Sequence, residues 1–173
     1  MPVHDSRTND VSSQGTSNLL YAAAYAGFVG SGVLAMFFLL RDSLLGSPLL
    51  TPSILGAALF GPGASNADAA IRIDWVALAS LVHVTLFTGV GAPFAYLVHR
   101  VEPLRDSVVM MSLGLFAVLG IGIVSFDALV TPGLLASIGP LSILLGNALT
   151  ASAMAVFYVR AFADEPVPAE VGR

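Results

Sequence analysis

Four long apolar runs dominate the chain and restrict what it can fold into. They cover about residues 19–40, 75–98, 107–126 and 134–159, and none contains Asp, Glu, Lys or Arg. An α-helix rises about 1.5 Å per residue, so about 20 apolar residues cross the roughly 30 Å hydrocarbon core of a bilayer. The runs therefore predict an all-α integral membrane protein, a bundle of four transmembrane helices over residues 19–159.

The composition agrees with a membrane-embedded chain and excludes several functions. Of 173 residues, 56% are hydrophobic and 10% are charged, whereas soluble domains carry about 25% charged residues. The net charge is −4 and there is no Lys, so we expect no nucleic-acid partner. Because Cys is absent, the chain has no disulfide, thiolate metal site or thiol nucleophile.

Two polar tails flank the apolar region. Residues 1–18 and 160–173 have no apolar period, which is typical of disordered segments. A four-span topology puts Arg41 and Arg72 on one side of the bilayer and the other five Arg on the opposite side: Arg7, Arg100, Arg105, Arg160 and Arg173. Cytoplasmic loops carry the excess of basic residues. We therefore expect a multi-pass protein of the cell membrane with both termini in the cytoplasm.

Aromatic residues near the ends of the runs fit this topology. Trp75 begins the second run, and Tyr96 and Tyr158 lie near the ends of the second and fourth. Trp and Tyr are enriched where membrane meets water. Trp75 is therefore expected at the outer interface, and the two Tyr residues at the inner one.

The first outer connection contains a shorter apolar segment, residues 49–60. Thr51 is suited to cap a helix, Pro52 to occupy its first position, and Gly61 to end it. The segment is too short to cross the bilayer. It predicts a short interfacial helix packed on the outer end of the bundle.

The same order of turn residues occurs twice in the chain. Thr51-Pro52 and Thr131-Pro132 each precede a short apolar stretch, and Gly61-Pro62 and Gly139-Pro140 each follow one. Both copies connect an outward-going run to an inward-going one. Either a duplicated helical hairpin or the frequent use of these dipeptides in turns accounts for the pattern.

Small residues on the first run predict close helix packing. Ala23 and Gly27 are four residues apart, as are Ala26 and Gly30. Helices inside lipid associate through small residues that allow their backbones to approach. This side of the first helix should therefore contact another helix.

The second run contains a cluster that interrupts regular helix geometry. Gly89, Gly91 and Pro93 lie within five residues. Pro93 has no N–H to donate and crowds the carbonyl group four residues earlier. We expect a bend here, either as a fixed kink or as a moving hinge.

His83 is the one strongly ionisable side chain well inside an apolar run. Such residues face the interior of a bundle and are candidates for function. Asn147 in the fourth run falls at a comparable depth, so we predict a hydrogen bond between them, with Thr85 and Thr150 extending the polar group. The imidazole is then either a neutral structural group or a site of ligand binding, proton relay or metal ligation.

No cofactor is expected from a sequence motif. A haem b held by two imidazoles within the chain would need a second His at the depth of His83, but His99 lies at the inner boundary and His4 in the tail. A haem with one protein ligand, or one shared by two His83 residues in a homodimer, stays open.

The sequence does not identify a reaction. It contains no HExxH pair, no P-loop and no paired intramembrane carboxylates. We interpret the chain as a non-enzymatic membrane protein, either an accessory subunit with a membrane-protein partner or homo-oligomer, or a binder of a small apolar ligand. The alternatives are a transporter or proton-conducting element that uses His83, and a haem- or quinone-linked redox protein.

Overall fold

The described part of the chain is all helical. The computed structural model describes residues 6–61, 71–101 and 107–162, which contain no strand. Six helices follow one another within these ranges: α1 (Ser6–Leu44), α2 (Leu50–Phe60), α3 (Ile73–Arg100), α4 (Val108–Leu129), α5 (Leu134–Ile138) and α6 (Pro140–Phe162). Helices α1, α3, α4 and α6 are long and apolar enough to cross a membrane. The predicted all-helical class and the number of helices of spanning length are confirmed.

Helix boundaries differ from the prediction at both ends of the chain. Helix α1 begins at Ser6, inside the segment for which the composition predicts disorder. A helix that is already nucleated gains one hydrogen bond for each residue it adds, so an apolar helix can extend into a polar tail. The fourth run divides at Gly139, whose φ of +95° ends α5, and α6 begins at Pro140. Residues 163–173 of the predicted tail lie outside the described residues.

Helix α1 has the most central position among the long helices. It packs against α3 and against α6, and α6 in turn packs against α4. Helices α3 and α4 are not packed against each other along their lengths. Neighbouring helices therefore follow the order α3, α1, α6, α4, with α2 lying against α3 and contacting α5.

Glycine residues allow the closest of these approaches. A Cβ atom at Gly27 would lie 2.6 Å from the Cα atom of Thr88, and one at Gly91 would lie 2.6 Å from the carbonyl oxygen of Ala23. A Cβ atom at Gly146 in α6 would lie equally close to a side chain of α1. The predicted contact of the small-residue side of α1 with a neighbouring helix is confirmed.

Tyr158 is buried among the helices, so its ring does not contact the surroundings as an interfacial Tyr was predicted to do, while its depth in the membrane stays a prediction. Its side chain is 0% exposed, and its hydroxyl donates a 2.8 Å hydrogen bond to the carbonyl oxygen of Gly91. The ring stacks on Phe162 and lies 5.8 Å from Phe94 between centroids. Because Gly91 has no side chain, the phenol has room to reach the backbone of α3. Tyr96, in contrast, is 53% exposed.

Two turns of the chain have equivalent carboxylate caps. In the turn between α1 and α2, Asp42 Oδ2 accepts a 2.6 Å hydrogen bond from the backbone N of Thr51. In the turn between α4 and α5, Asp127 Oδ1 accepts a 2.8 Å hydrogen bond from the backbone N of Leu135. Both donors are the second residue of the short helix, where backbone N–H groups have no helical partner.

The backbone conformations and hydrogen bonds of the two turns align different residues from those that the sequence predicted to be equivalent. Leu49 (φ +68°) and Gly133 (φ +92°) precede the short helices in the left-handed conformation. The carbonyl groups of Ser47 and Thr131 each accept a 3.1 Å hydrogen bond from the residue three positions later. Ser47-Pro48 is therefore the equivalent of Thr131-Pro132, and the predicted equivalence of Thr51-Pro52 is wrong.

This register aligns identical residues in the two turns. Pro48, Leu50, Ser53 and Ile54 correspond in this register to Pro132, Leu134, Ser137 and Ile138, each 84 positions later. Asp42 and Leu44 lie 85 positions before Asp127 and Leu129, so the first turn contains one extra residue before Pro48. The shared residues and the shared hydrogen bonds favour a duplicated hairpin over a chance match of turn dipeptides. The N-cap of α2 is consequently Leu49, and the predicted cap residue Thr51 lies inside the helix.

Candidate functional site

An apolar cavity of about 590 Å³ lies among the helices. All six helices contribute to its lining, which is mostly aliphatic and aromatic and has no charged side chain among the described residues. Small-molecule sites have volumes of roughly 300 to 1,000 Å³ and are predominantly apolar with a few polar groups. The cavity therefore has the size and the chemistry of a site for a small apolar ligand.

Helix α2 covers one end of this cavity. Pro52, Leu55 and Leu59 line the cavity from α2. The helix lies so close to the beginning of α3 that a Cβ atom at Gly56 would overlap the backbone of Trp75. The short helix predicted over residues 49–60 is thus present and packs against a long helix.

An ion pair at the end of α1 holds the beginning of α2 in place. Arg41 and Asp42 lie 2.9 Å apart, and the carboxylate of Asp42 is fully buried. The hydroxyl of Thr51 donates a 2.9 Å hydrogen bond to Asp42 Oδ1, and Arg41 donates a 3.0 Å hydrogen bond to the carbonyl oxygen of Ile138. The cluster joins α1, α2 and α5.

This cluster was not predicted from the sequence, where Arg41 entered only the topology and Asp42 had no assigned role. A signal was available, because an acidic residue at the end of an apolar run, shortly before a second helix, can cap that helix.

His83 and Asn147 both line the cavity, from α3 and α6 respectively. The predicted hydrogen bond between them is not formed. His83 Nε2 is buried without a hydrogen-bond partner among the described residues. No hydrogen bond joins the amide of Asn147, which is 8% exposed, to any residue in the described ranges. The structure therefore brings the two residues to one cavity and leaves polar groups of both without a hydrogen bond to a described residue.

The orientation of the His83 ring is restricted by its neighbours. Its centroid lies 4.7 Å from that of Phe87, with 39° between the ring planes. The backbone of Ser31 in α1 also lies near the imidazole. These contacts hold the ring between α3 and α1.

The two predicted threonines do not line the cavity. Thr85 lies on the exposed side of α3, and its hydroxyl donates a 2.9 Å hydrogen bond to the carbonyl oxygen of Leu81. Thr150 is 0% exposed, and its hydroxyl has no hydrogen-bond partner among the described residues. Both differ from the prediction because depth along a helix does not determine which side of the helix a residue occupies.

The predicted hinge residues lie beside the cavity and not in its lining. Helix α3 continues without a break through Pro93. Gly91 is buried against α1, whereas Gly89 and Pro93 are exposed. A movement at these residues stays a prediction.

The described side chains offer a binding site for an organic molecule more readily than a metal centre. No group of three His, Asp or Glu side chains within the described ranges is arranged to hold a metal ion. The cavity supplies an apolar enclosure with an imidazole nitrogen and an amide as its available polar groups. Comparison of the chain with protein-family models, curated proteins and solved structures finds no match.

Proposed function

We propose that the protein is a four-span membrane protein that binds a small, largely apolar ligand in the cavity among its helices. The observation that carries the proposal is the cavity itself, which combines about 590 Å³ of apolar space with His83 Nε2 and the Asn147 amide, neither of which has a hydrogen-bond partner among the described residues. Small-molecule sites are concave and mostly apolar and carry a few polar groups, and the cavity has these features.

The exposed surface supports insertion into a bilayer. Along α4, Val109, Leu113, Ile121 and Val124 are each between 56% and 68% exposed. Soluble monomers rarely expose contiguous apolar surfaces larger than a few hundred Å². Hydrocarbon chains are the surroundings in which such a helix surface is stable.

The distribution of Arg supports a topology with both termini in the cytoplasm of the cell. Arg41 and Arg72 lie at the end of the structure that carries α2, whereas Arg100 and Arg160 lie at the opposite ends of α3 and α6. In this orientation α2 is an interfacial helix on the outer side. Reporter fusions at residues 7, 105 and 164 should show cytoplasmic activity, and a fusion at residue 66 should show external activity. Opposite locations for the two termini would contradict the topology.

We infer that the ligand enters from the bilayer between α3 and α4. Val84 and Leu86 on α3, and Val118 and Gly122 on α4, line the cavity and are also exposed. Phe94 of α3 lies beside Gly114 of α4, but the two helices are not packed along their lengths. An opening between them faces lipid in a membrane-inserted protein, which suits an apolar ligand.

Fluorescence of Trp75 tests the proposed site, because it is the only Trp in the chain and its neighbour Val76 lines the cavity. Protein in lipid nanodiscs is titrated with 1-bromodecane, whose bromine quenches indole emission on close approach. We expect saturable quenching in the wild type. The substitution Gly122→Phe should weaken it about tenfold or more, which corresponds to about 1.4 kcal/mol, because the ring extends into the space that the ligand occupies.

Gly120→Phe is the matched control. Gly120 and Gly122 both belong to α4, and a Cβ atom at either position meets no atom within 4 Å, but only Gly122 lines the cavity. Equal effects of the two substitutions, or quenching that rises without saturation in the wild type, would contradict the proposal. A Soret band in the purified protein would instead favour a haem held by His83.

A further inference from the structure

We propose that His83 and Asn147 together bind the hydroxyl group of a neutral, otherwise apolar ligand. This inference rests on the function proposed above and specifies the class of ligand. It follows from which polar groups of the cavity are already satisfied, from the absence of charge in its lining, and from the hydrogen-bonding capacity of the two side chains.

The other polar side chains of the lining have protein partners. Ser31 donates to the carbonyl oxygen of Phe28 at 2.9 Å, and Ser80 donates to that of Val76 at 2.7 Å. The hydroxyl of Thr51 donates to Asp42. Among the described residues of the lining, His83 Nε2 and the Asn147 amide are thus the polar groups that have no hydrogen bond to the protein.

A buried polar group without a partner is unfavourable by about 1 to 3 kcal/mol. His83 and Asn147 line one cavity, so a ligand bound there can offer a hydrogen-bonding group to each side chain. An alkane would leave both unsatisfied. The ligand should therefore carry a hydrogen-bonding group at this end of an apolar body.

The lining excludes a charged group at this position. It contains no Asp, Glu, Lys or Arg among the described residues. The ionised residues Arg41 and Asp42 are paired with each other and are further hydrogen-bonded to Thr51 and Ile138. An unpaired carboxylate or phosphate would lose its hydration without gaining a counter-charge, which is strongly unfavourable.

A hydroxyl group matches the two side chains better than a carbonyl group does. In a neutral imidazole, Nε2 is a donor in one tautomer and an acceptor in the other, and an amide offers both a donor and an acceptor. A hydroxyl donates one hydrogen bond and accepts others, so it can bind His83 Nε2 in either tautomer while accepting from Asn147. A carbonyl oxygen can only accept, and it would require His83 Nε2 to be protonated.

The test compares three brominated probes that share one chain length: 10-bromo-1-decanol, 1-bromodecane and 10-bromodecanoate. Quenching of Trp75 is measured in nanodiscs and corrected for the partition of each probe into the lipid. We expect the alcohol to bind the wild type about three- to tenfold more tightly than the bromoalkane, the range of one net hydrogen bond between uncharged groups. The carboxylate should bind most weakly.

Variants assign the preference to particular side chains. His83→Phe and, separately, Asn147→Leu should reduce the preference for the alcohol toward unity while the bromoalkane still binds. Thr85→Val is the control, because it removes a hydroxyl from the exposed side of the same helix. Saturable bromoalkane binding by both cavity variants shows that their sites are intact.

Each outcome separates this inference from the proposed function. Failure of every probe to quench saturably overturns the cavity as a binding site and this inference with it. Saturable binding with equal affinity for alcohol and alkane, or an alcohol preference that survives both cavity substitutions, overturns the role of His83 and Asn147 alone. Tightest binding of the carboxylate overturns the requirement for a neutral ligand.

Discussion

Asp42 and Asp127 each cap a short helix, but replacing each of them by Asn should lower the free energy of unfolding by different amounts. We predict that Asp42→Asn lowers the free energy of unfolding by about 3 kcal/mol, and that Asp127→Asn lowers it by less than about 1 kcal/mol. The backbone donor lies nine positions after Asp42 and eight positions after Asp127, so the first turn is one residue longer. In both turns the carboxylate caps the second residue of the short helix, and the two carboxylates differ in their other contacts.

The loss of stability expected for Asp42→Asn follows from the contacts of the Asp42 carboxylate. Oδ1 accepts from Arg41 and from the hydroxyl of Thr51, and Oδ2 accepts from the backbone N of Thr51. An Asn side chain has one oxygen, so its NH₂ group would face a donor at one of these sites. Breaking a buried ion pair is unfavourable by about 3 to 5 kcal/mol. The lower end applies because Arg41 is 26% exposed and keeps its bond to Ile138.

The loss of stability expected for Asp127→Asn is smaller because one side-chain oxygen is sufficient to accept the hydrogen bond at this position. Its Oδ1 accepts from the backbone N of Leu135. The amide oxygen of Asn can accept the same hydrogen bond, although a bond to a neutral acceptor is weaker than one to a carboxylate.

Reversible unfolding in mixed micelles, with increasing SDS and helix content followed by circular dichroism, measures both changes. Emission of Trp75 reports on α2 in the same samples, since α2 packs against this residue. The reasoning is refuted if Asp42→Asn stays within about 1 kcal/mol of the wild type, or if Asp127→Asn is the more destabilising substitution.

Three further substitutions test the packing of the helices. Tyr158→Phe should lower the free energy of unfolding by about 1 kcal/mol through loss of the bond to Gly91, and an unchanged value in the SDS titration would mean that this bond contributes nothing. Gly27→Ala should lower it by about 2 kcal/mol, because the new Cβ atom would lie 2.6 Å from Thr88 Cα and force α1 and α3 apart. Thr150→Val should leave stability unchanged or raise it in the same titration, because the buried hydroxyl has no protein partner among the described residues, and a clear loss would reveal one.

The positions of the long helices could be predicted from the sequence because their physical cause is local. Backbone groups inside hydrocarbon have to bond within their own segment, so an apolar run of sufficient length specifies a helix wherever it occurs. The contact surface around Gly27 was predictable for a similar reason, since close approach of two backbones requires small residues. The short helix α2 was signalled by its flanking turn residues.

The turns and the polar site depend on relations that a single sequence does not display. The register of the repeat is determined by Asp42, nine residues from the N–H group that it caps, and by a left-handed Leu49, which no local rule favours. For His83 and Asn147, the sequence supplied the depth along each helix. Whether the two side chains meet or face a space between them depends on how α3, α1 and α6 are arranged around the cavity.

Helix α2 is held at both ends, so it closes one route by which a ligand could reach the cavity. Its first turn is held by Asp42, and its second half lies against Trp75, so the Arg41 end of the cavity is covered. A ligand that enters between α3 and α4 is supplied by the bilayer, which acts as a reservoir much larger than the number of sites. Occupancy then follows the ratio of ligand to lipid. Adding empty vesicles at constant total ligand would lower this ratio and drain the cavity.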